Sequence, residues 1–347
     1  MPKDRNELPQ RGGAELSLFF LLDHYPDRKA LGPRYREHIE RAVRAERLGF
    51  QGLFVAEHHF SNLGVAPNPA VFLAAVAART ERLFLGPAVA VLPFRHPLQV
   101  VEDYAMVDQL SDGRLVLGVG SGAEASEFEG FGLDVASKRE LFEDRLAIVE
   151  AAFQGRGGAG ESPNVRAVKE AGPPILIAST RVAGARAVGS SGFGLLTLAS
   201  PATPSLDEVV ARLQAYREGQ QRRRGRGPHT STVAVTVFCH LAEDAAQARK
   251  EAAPALGRFL KAHGAPEADG LAAYDDMLSR GVGAFGTPEE VARTLAPLVE
   301  AGVEHFVLWM GFGDLDGKHF DQSMTLAPRL RELLHGFAWR QQRSRVA

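Results

Sequence analysis

Apolar runs of strand length recur eight times along the chain, and a helix-length stretch separates nearly every neighbouring pair. The runs cover residues 16–22, 52–56, 83–91, 115–119, 175–178, 194–198, 232–238 and 304–309. Helical spacing of apolar residues marks 33–48, 69–79, 97–110, 137–153, 182–190, 205–219, 244–264, 287–301 and 318–335. The boundaries carry matching chemistry. Pro33 and Gly49 bracket the first helix, Pro97 opens the third, and Asp112-Gly113 turns the chain into the fourth run. An uninterrupted apolar run is how a parallel strand buried on both faces reads, and its alternation with helices predicts a parallel sheet. Eight such units closing on themselves make an α/β fold of the (β/α)8 TIM-barrel type. The competing architecture is an open doubly wound sheet, but its Gly-x-Gly-x-x-Gly turn is missing after Leu22. Two irregularities are expected. Gly86-Pro87 interrupts the third run, and a less regular segment ending near Gly286-Thr287-Pro288 forms a late insertion between strands seven and eight.

One barrel domain over 16–336 then accounts for the chain, with a polar leader over 1–15 and a basic tail over 337–347. At 347 residues, 45% hydrophobic and 24% charged, the sequence has ample material for a core. A net charge of −2 gives no global field towards nucleic acid or an anionic membrane. No apolar run approaches the roughly 20 residues of a membrane helix, and the charged start lacks the core of a secretion signal. A cytoplasmic location is expected. Cys239 is the single cysteine, which rules out intrachain disulfides and argues against a thiolate metal site. Two biased segments stand out: the glycine-rich break at 155–160 and the run Arg222-Arg223-Arg224-Gly225-Arg226. The second lacks aromatic interleaving and reads as a solvated turn rather than a nucleic-acid contact.

Three strand ends carry candidate chemistry. The second run stops abruptly at Glu57-His58-His59, where a barrel places catalytic groups. The plainer reading is that one imidazole caps the next helix and the other faces solvent. Neighbours on a strand point to opposite sides, so only one of His58 and His59 is expected to face the barrel mouth. The fourth run ends in Gly118-Val119-Gly120-Ser121-Gly122, either a tight turn or a place where a flat or anionic ligand approaches the backbone. Arg139 downstream offers a permanent positive charge for a phosphate. The fifth run ends in Ala178-Ser179-Thr180-Arg181, where hydroxyls, a guanidinium and a helix N-terminus meet. Simple capping by Ser179 or Thr180 competes with that reading.

Taken together, these motifs resemble the bacterial luciferase-like, flavin-dependent monooxygenase family. The resemblance is carried by Glu46-Arg47-Leu48-Gly49-Phe50 through Ala56-Glu57-His58-His59-Phe60, by Pro67-Asn68-Pro69, and by Val91-Leu92-Pro93-Phe94-Arg95-His96-Pro97. Asp108-Gln109-Leu110-Ser111-Asp112-Gly113-Arg114, Glu127-Phe128-Glu129-Gly130-Phe131-Gly132 and Gly286-Thr287-Pro288-Glu289-Glu290 extend it over about 15–335. The resemblance implies a (β/α)8 barrel, usually dimeric, that uses reduced FMN and O2. It places His58 beside the flavin ring, supporting its C4a-peroxide, with Glu57 as a second catalytic candidate and Ala56 at the strand end. It makes Ala88-Val89 a non-proline cis peptide under the ring, passes Gly120, Ser121 and Gly122 along the flavin, and assigns Arg139, Ser179 and Thr180 to the phosphate, with Arg181 expected to share that load because the family's arginine is missing at Ser121.

The sequence also departs from the luciferases proper. They carry a cysteine and an arginine at the positions of Gly120 and Ser121, so light emission does not follow, and Ala123 leaves a roomier substrate side where many relatives have an aromatic. The expected activity is oxidation of a small organic substrate, with a separate flavin reductase supplying reduced FMN, since no dinucleotide motif is visible. Two other readings are a deazaflavin-dependent hydride-transfer enzyme on the same fold and a non-catalytic flavin-binding partner subunit.

Overall fold

Strands that are apolar on both faces need neighbours on both sides and a cover of helices, and the chain supplies both. The computed structural model describes residues 13–25, 27–156, 163–223 and 231–344. The first half runs β1 (Glu15–Phe20), α1 (Leu31–Arg47), β2 (Gly52–Val55), α2 (Pro69–Ala77), β3 (Phe84–Pro87), β4 (Ala90–Val91), α3 (Pro97–Leu110) and β5 (Leu117–Gly120), then α4 (Ala125–Gly130) and α5 (Lys138–Phe153). The second half continues with β6 (Ile175–Ala178), α6 (Val182–Ser191), β7 (Gly194–Ala199), α7 (Leu206–Arg222) and β8 (Val233–Leu241). After these come α8 (Ala245–Ala262), α9 (Gly270–Ser279), β9 (Gly283–Gly286), α10 (Pro288–Glu300), β10 (His305–Trp309) and α11 (Gly317–Ser344).

The strands pair in the order β3-β2-β1-β10-β8-β7-β6-β5-β4, with β9 alongside β8, and each pairing is parallel. The two ends of that order are one barrel position. β3 pairs with β2, β4 pairs with β5, and the cis peptide Ala88-Val89 separates them. A bridge between Leu85 and Leu115 closes the ring, with Leu85 N–H on Arg114 O and Val116 N–H on Leu85 O, both at 3.0 Å. Gly86 makes that seam possible, because a Cβ there would lie 2.1 Å from the Val116 carbonyl oxygen. The result is the expected (β/α)8 barrel.

Alternation along each strand divides the core. Phe20 points outward and meets His38, Phe72 and Phe320 on the surrounding helices at ring separations of 4.8, 6.3 and 6.4 Å. Phe19, one residue earlier, meets Trp309 at 4.9 Å on the other face of the sheet. Fully burying side chains of this size is worth about 1.5–3 kcal/mol each, which holds the ring and its helical jacket together.

Three features differ from the sequence expectation. The third run is two short strands rather than one strand over 83–91, because the cis peptide breaks its pairing. The late insertion is regular: it holds α9 and β9, and β9 pairs with the end of β8 from Phe238↔Gly283 to Leu241↔Gly286. The basic tail expected from 337 is, through Ser344, a continuation of α11. Residues 1–12 of the leader, 157–160 of the glycine-rich break, 224–226 of the arginine run and 345–347 of the tail lie outside the described residues.

Candidate active site

The functional candidates sit where parallel strands run out, which in a barrel is a single rim. β2 ends at Val55, and Ala56 is fixed beside β1 by its N–H on Phe20 O at 3.0 Å. Glu57 is buried, accepts the Val91 N–H at 3.3 Å and lies 3.1 Å from His59 Nε2. Burial pushes its carboxyl up, with His59 pulling the other way. Glu57 therefore braces β4 and one imidazole from beneath.

The two histidines diverge, as a strand end requires. His59 turns into an aromatic cluster, 4.8 Å from Phe131 and 5.7 Å from Phe94 between ring centres. His58 keeps 21% of its side chain exposed, and its Nδ1 lies 2.9 Å from Oε1 of Glu127. The same oxygen accepts the His59 backbone N–H at 2.8 Å. Glu127, on α4, is buried. An oxygen placed this way suits an Nδ1–H donor, and the neutral ring then presents an Nε2 lone pair. In the sequence Glu127 is only the first residue of the run Glu127-Phe128-Glu129-Gly130-Phe131-Gly132. Its pairing with His58 spans 69 positions and becomes visible only in the fold.

The other strand tips meet that one. The Ala88 N–H donates to Val55 O at 2.8 Å, tying the cis segment to the end of β2. A Cβ at Gly120 would come within 2.5 Å of the Val89 side chain and 3.7 Å of the Ala178 Cβ. The tips of β2, β3/β4, β5 and β6 thus form a continuous rim of backbone, alanine and glycine, with Ser121 and Gly122 half-buried beyond it. Ala178 is exposed although it ends a barrel strand. Low side chains and close backbone fit a flat ligand laid across the strand ends.

Beyond β6, Ser179, Thr180 and Arg181 lead into α6. The Ser179 hydroxyl donates to Arg181 O at 3.2 Å and accepts the Arg181 N–H at 3.4 Å. The Ncap position of α6 has no side-chain hydrogen bond, so simple capping does not use up the first-turn N–H groups, and this end suits an anion. Arg139 stands at the start of α5, 85% exposed, and pairs with Glu143 at 2.8 Å, which raises its pKa. Among the described residues, no group of three His, Cys, Asp or Glu side chains comes together to hold a metal.

The family model of luciferase-like monooxygenases matches residues 15–305. The uncharacterized protein y4wF of Sinorhizobium fredii is 32% identical over 317 residues, 86% of this chain and 91% of that protein. Limonene 1,2-monooxygenase of Rhodococcus erythropolis is 26% identical over 322 residues, 87% of this chain and 78% of the relative. Among solved structures, the oxygenating constituent of 3,6-diketocamphane monooxygenase from Pseudomonas putida, in complex with FMN, superposes with a TM-score of 0.73. That match covers 92% of this chain and 98% of the other at 20% identity, a likeness of fold. Matched over most of its length, the chain belongs to the luciferase-like monooxygenase family.

Proposed function

We propose that the protein is an FMN-dependent monooxygenase that oxidises a small organic substrate with O2. Reduced FMN, delivered by a separate flavin reductase, supplies the electrons and the reactivity towards O2 when bound. One oxygen atom goes to substrate and the other leaves as water. The observation that carries this reading is His58, held through Nδ1 by the buried Glu127 at the edge of a backbone rim.

In this reading the rim at Ala56, Ala88, Val89, Gly120, Ser121 and Gly122 receives the ring system. Ser179, Thr180 and Arg181, at the opening of α6, meet the phosphate. Arg139, paired with Glu143 at the start of α5, is assigned to the phosphate with them. Glu57 keeps β4 and His59 in place. His58 Nε2 accepts or returns a proton at the oxygen-reactive edge, and the aromatic side chains at the mouth keep water away, since stray water and protons divert O2 to H2O2. Among the described residues no helix is long and apolar enough to cross a membrane.

The test replaces the imidazole. His58→Ala is expected to bind FMN with unchanged affinity while most of the O2 consumed appears as H2O2 instead of product. Product yield per O2 equal to that of the wild type would remove His58 from the chemistry. Substrate turnover that needs no O2 and draws hydride from a deazaflavin would overturn the oxygenase reading itself.

A further inference from the structure

β8 is longer than its neighbours. Its pairing with β10 ends at Phe238, and from there to Leu241 it pairs with β9 of the late insertion. His240 lies in this overhang, opposite Phe285, with no exposed surface. Its Nε2 lies 2.9 Å from Oε2 of Glu251 on α8. The other oxygen of that carboxylate accepts the Gln247 amide at 2.9 Å and lies 3.5 Å from Nε2 of His319 on α11. α11 is tied to the same overhang, because Ser323 Oγ accepts the Leu241 N–H at 2.8 Å. One carboxylate therefore joins a barrel strand, the first insertion helix and the last helix of the chain.

The His240 ring fits this place in one protonation state. Facing a carboxylate, Nε2 carries the proton and donates it. Nδ1 is buried with no hydrogen-bond partner among the described residues, which suits a bare lone pair. A proton added there becomes a buried N–H without an acceptor, a costly group that native folds avoid. Burial lowers the pKa of the ring from its ordinary 6.5; the hydrogen bond and charge of Glu251 pull it up, and His319 pushes it down. β9, Gly283-Ala284-Phe285-Gly286, brings no titratable side chain. Cys239 alternates to the other face of β8, and His305 of β10 lies at the opposite end of the pairing, beside Ala234. An opened form, with the ring in water, takes up the proton near 6.5 while the closed form resists it. Opening therefore becomes easier as pH falls below that value.

What opens is the cover over one side of the barrel mouth. Arg258 of α8 donates through Nε to Gly313 O at 2.9 Å, just beyond β10. Phe259 packs edge-on against Trp309, the last residue of β10, at 5.2 Å, and against Phe238 of β8 at 5.3 Å. α9 rides on α8 so closely that a Cβ at Gly270 would lie 2.1 Å from the Ala253 carbonyl oxygen, so the two helices move as one. We propose that His240 is an acid-operated latch: a proton at Nδ1 is accommodated only by admitting water, which lifts α8 and α9 from β8 and α11 and uncovers the mouth beside β8 and β10. Its meaning for turnover rests on the oxygenase reading; the latch itself is a property of these three elements.

Hydrogen exchange of the full chain, without flavin, reads the latch segment by segment. Between about pH 7.5 and about pH 5.5, protection in α8 and α9, corrected for the intrinsic pH dependence of exchange, is expected to fall roughly tenfold, the scale of one buried N–H without an acceptor. Protection in β1, β6 and β7 should hold. His240→Gln keeps a donor for Glu251 and cannot titrate, so it should abolish the fall; His319→Gln should retain it. In the wild type itself, NMR of the labelled His240 imidazole should show the second proton arriving over the range in which protection is lost. Protection in α8 and α9 that is the same at both pH values, a fall shared equally by the barrel strands, a fall that survives His240→Gln or vanishes in His319→Gln, or a ring that stays neutral throughout would each overturn the proposal. No flavin or O2 takes part, so the latch can fail while O2-dependent turnover stands, or the reverse.

Discussion

Asp23 shows how much one buried carboxyl can weigh. It follows β1, is almost fully buried, accepts the Gly313 N–H at 2.7 Å, and lies near Arg34 and Asp314. Burial pushes its pKa from 3.8 up to about 6, with the Arg34 charge opposing. Between those values the folded chain holds a proton that the unfolded chain has lost. The unfolded state then binds fewer protons, so stability falls as pH rises from about 4 to about 6, by up to about 3 kcal/mol, and levels off above. Asp23→Asn keeps an oxygen for Gly313 and removes the titration. Urea unfolding across this window should show the wild type losing stability relative to the variant; parallel profiles would mean that Asp23 ionises freely in the fold. Neither the burial of this carboxyl nor the pairing of Glu127 was legible in the sequence. Each owes its character to a partner far along the chain, Gly313 in one case and His58 in the other. By contrast, the divergence of His58 and His59 follows from strand alternation alone and could be read in advance.

At the scale of elements, the sequence was most legible where one physical signal set the whole segment. α3 runs from Pro97 to Leu110, as its proline and apolar spacing predicted. β9 escaped because Gly-Ala-Phe-Gly carries no apolar run; it is a strand only because β8 overhangs the barrel and offers it a free edge. The break at Ala88-Val89 was legible only through the family resemblance, since neither residue type signals it. The insertion returns to the barrel through α10, whose start is fully capped. Thr287 accepts the Glu290 N–H at 3.2 Å, and the Glu290 carboxyl accepts the Thr287 N–H at 2.9 Å. Thr287→Ala leaves a first-turn N–H without its acceptor and should lower unfolding free energy by about 1 kcal/mol. Thermal or denaturant unfolding measures it. Thr287→Ser, which restores the hydroxyl, should recover most of the loss, and failure to do so would assign the effect to packing of the methyl group.

For the whole molecule, the outer face of α2 and α3 is the surface with a consequence for assembly. The two helices are tied together by the Asn68 amide on Asp103 at 3.1 Å. Three large apolar side chains stand exposed on them: Val71 at 69%, Met106 at 53% and Leu110 at 55%. Scattered apolar residues are normal on a surface, whereas a contiguous exposed apolar patch marks an interaction site. The proposed occupant is a second copy of the chain, which would make the protein a homodimer. A stable interface of this kind buries roughly 800 Å² on each partner, and a charge at its centre is costly to bury unpaired. The wild type should therefore run in light scattering at about twice the 37.4 kDa of one chain. Val71→Glu combined with Met106→Glu should shift it to the monomer mass. FMN affinity is expected to persist in that monomer, because the rim is assembled within one chain. A wild type that is monomeric at micromolar concentration, or a double variant that stays dimeric, would assign the patch to something other than self-association.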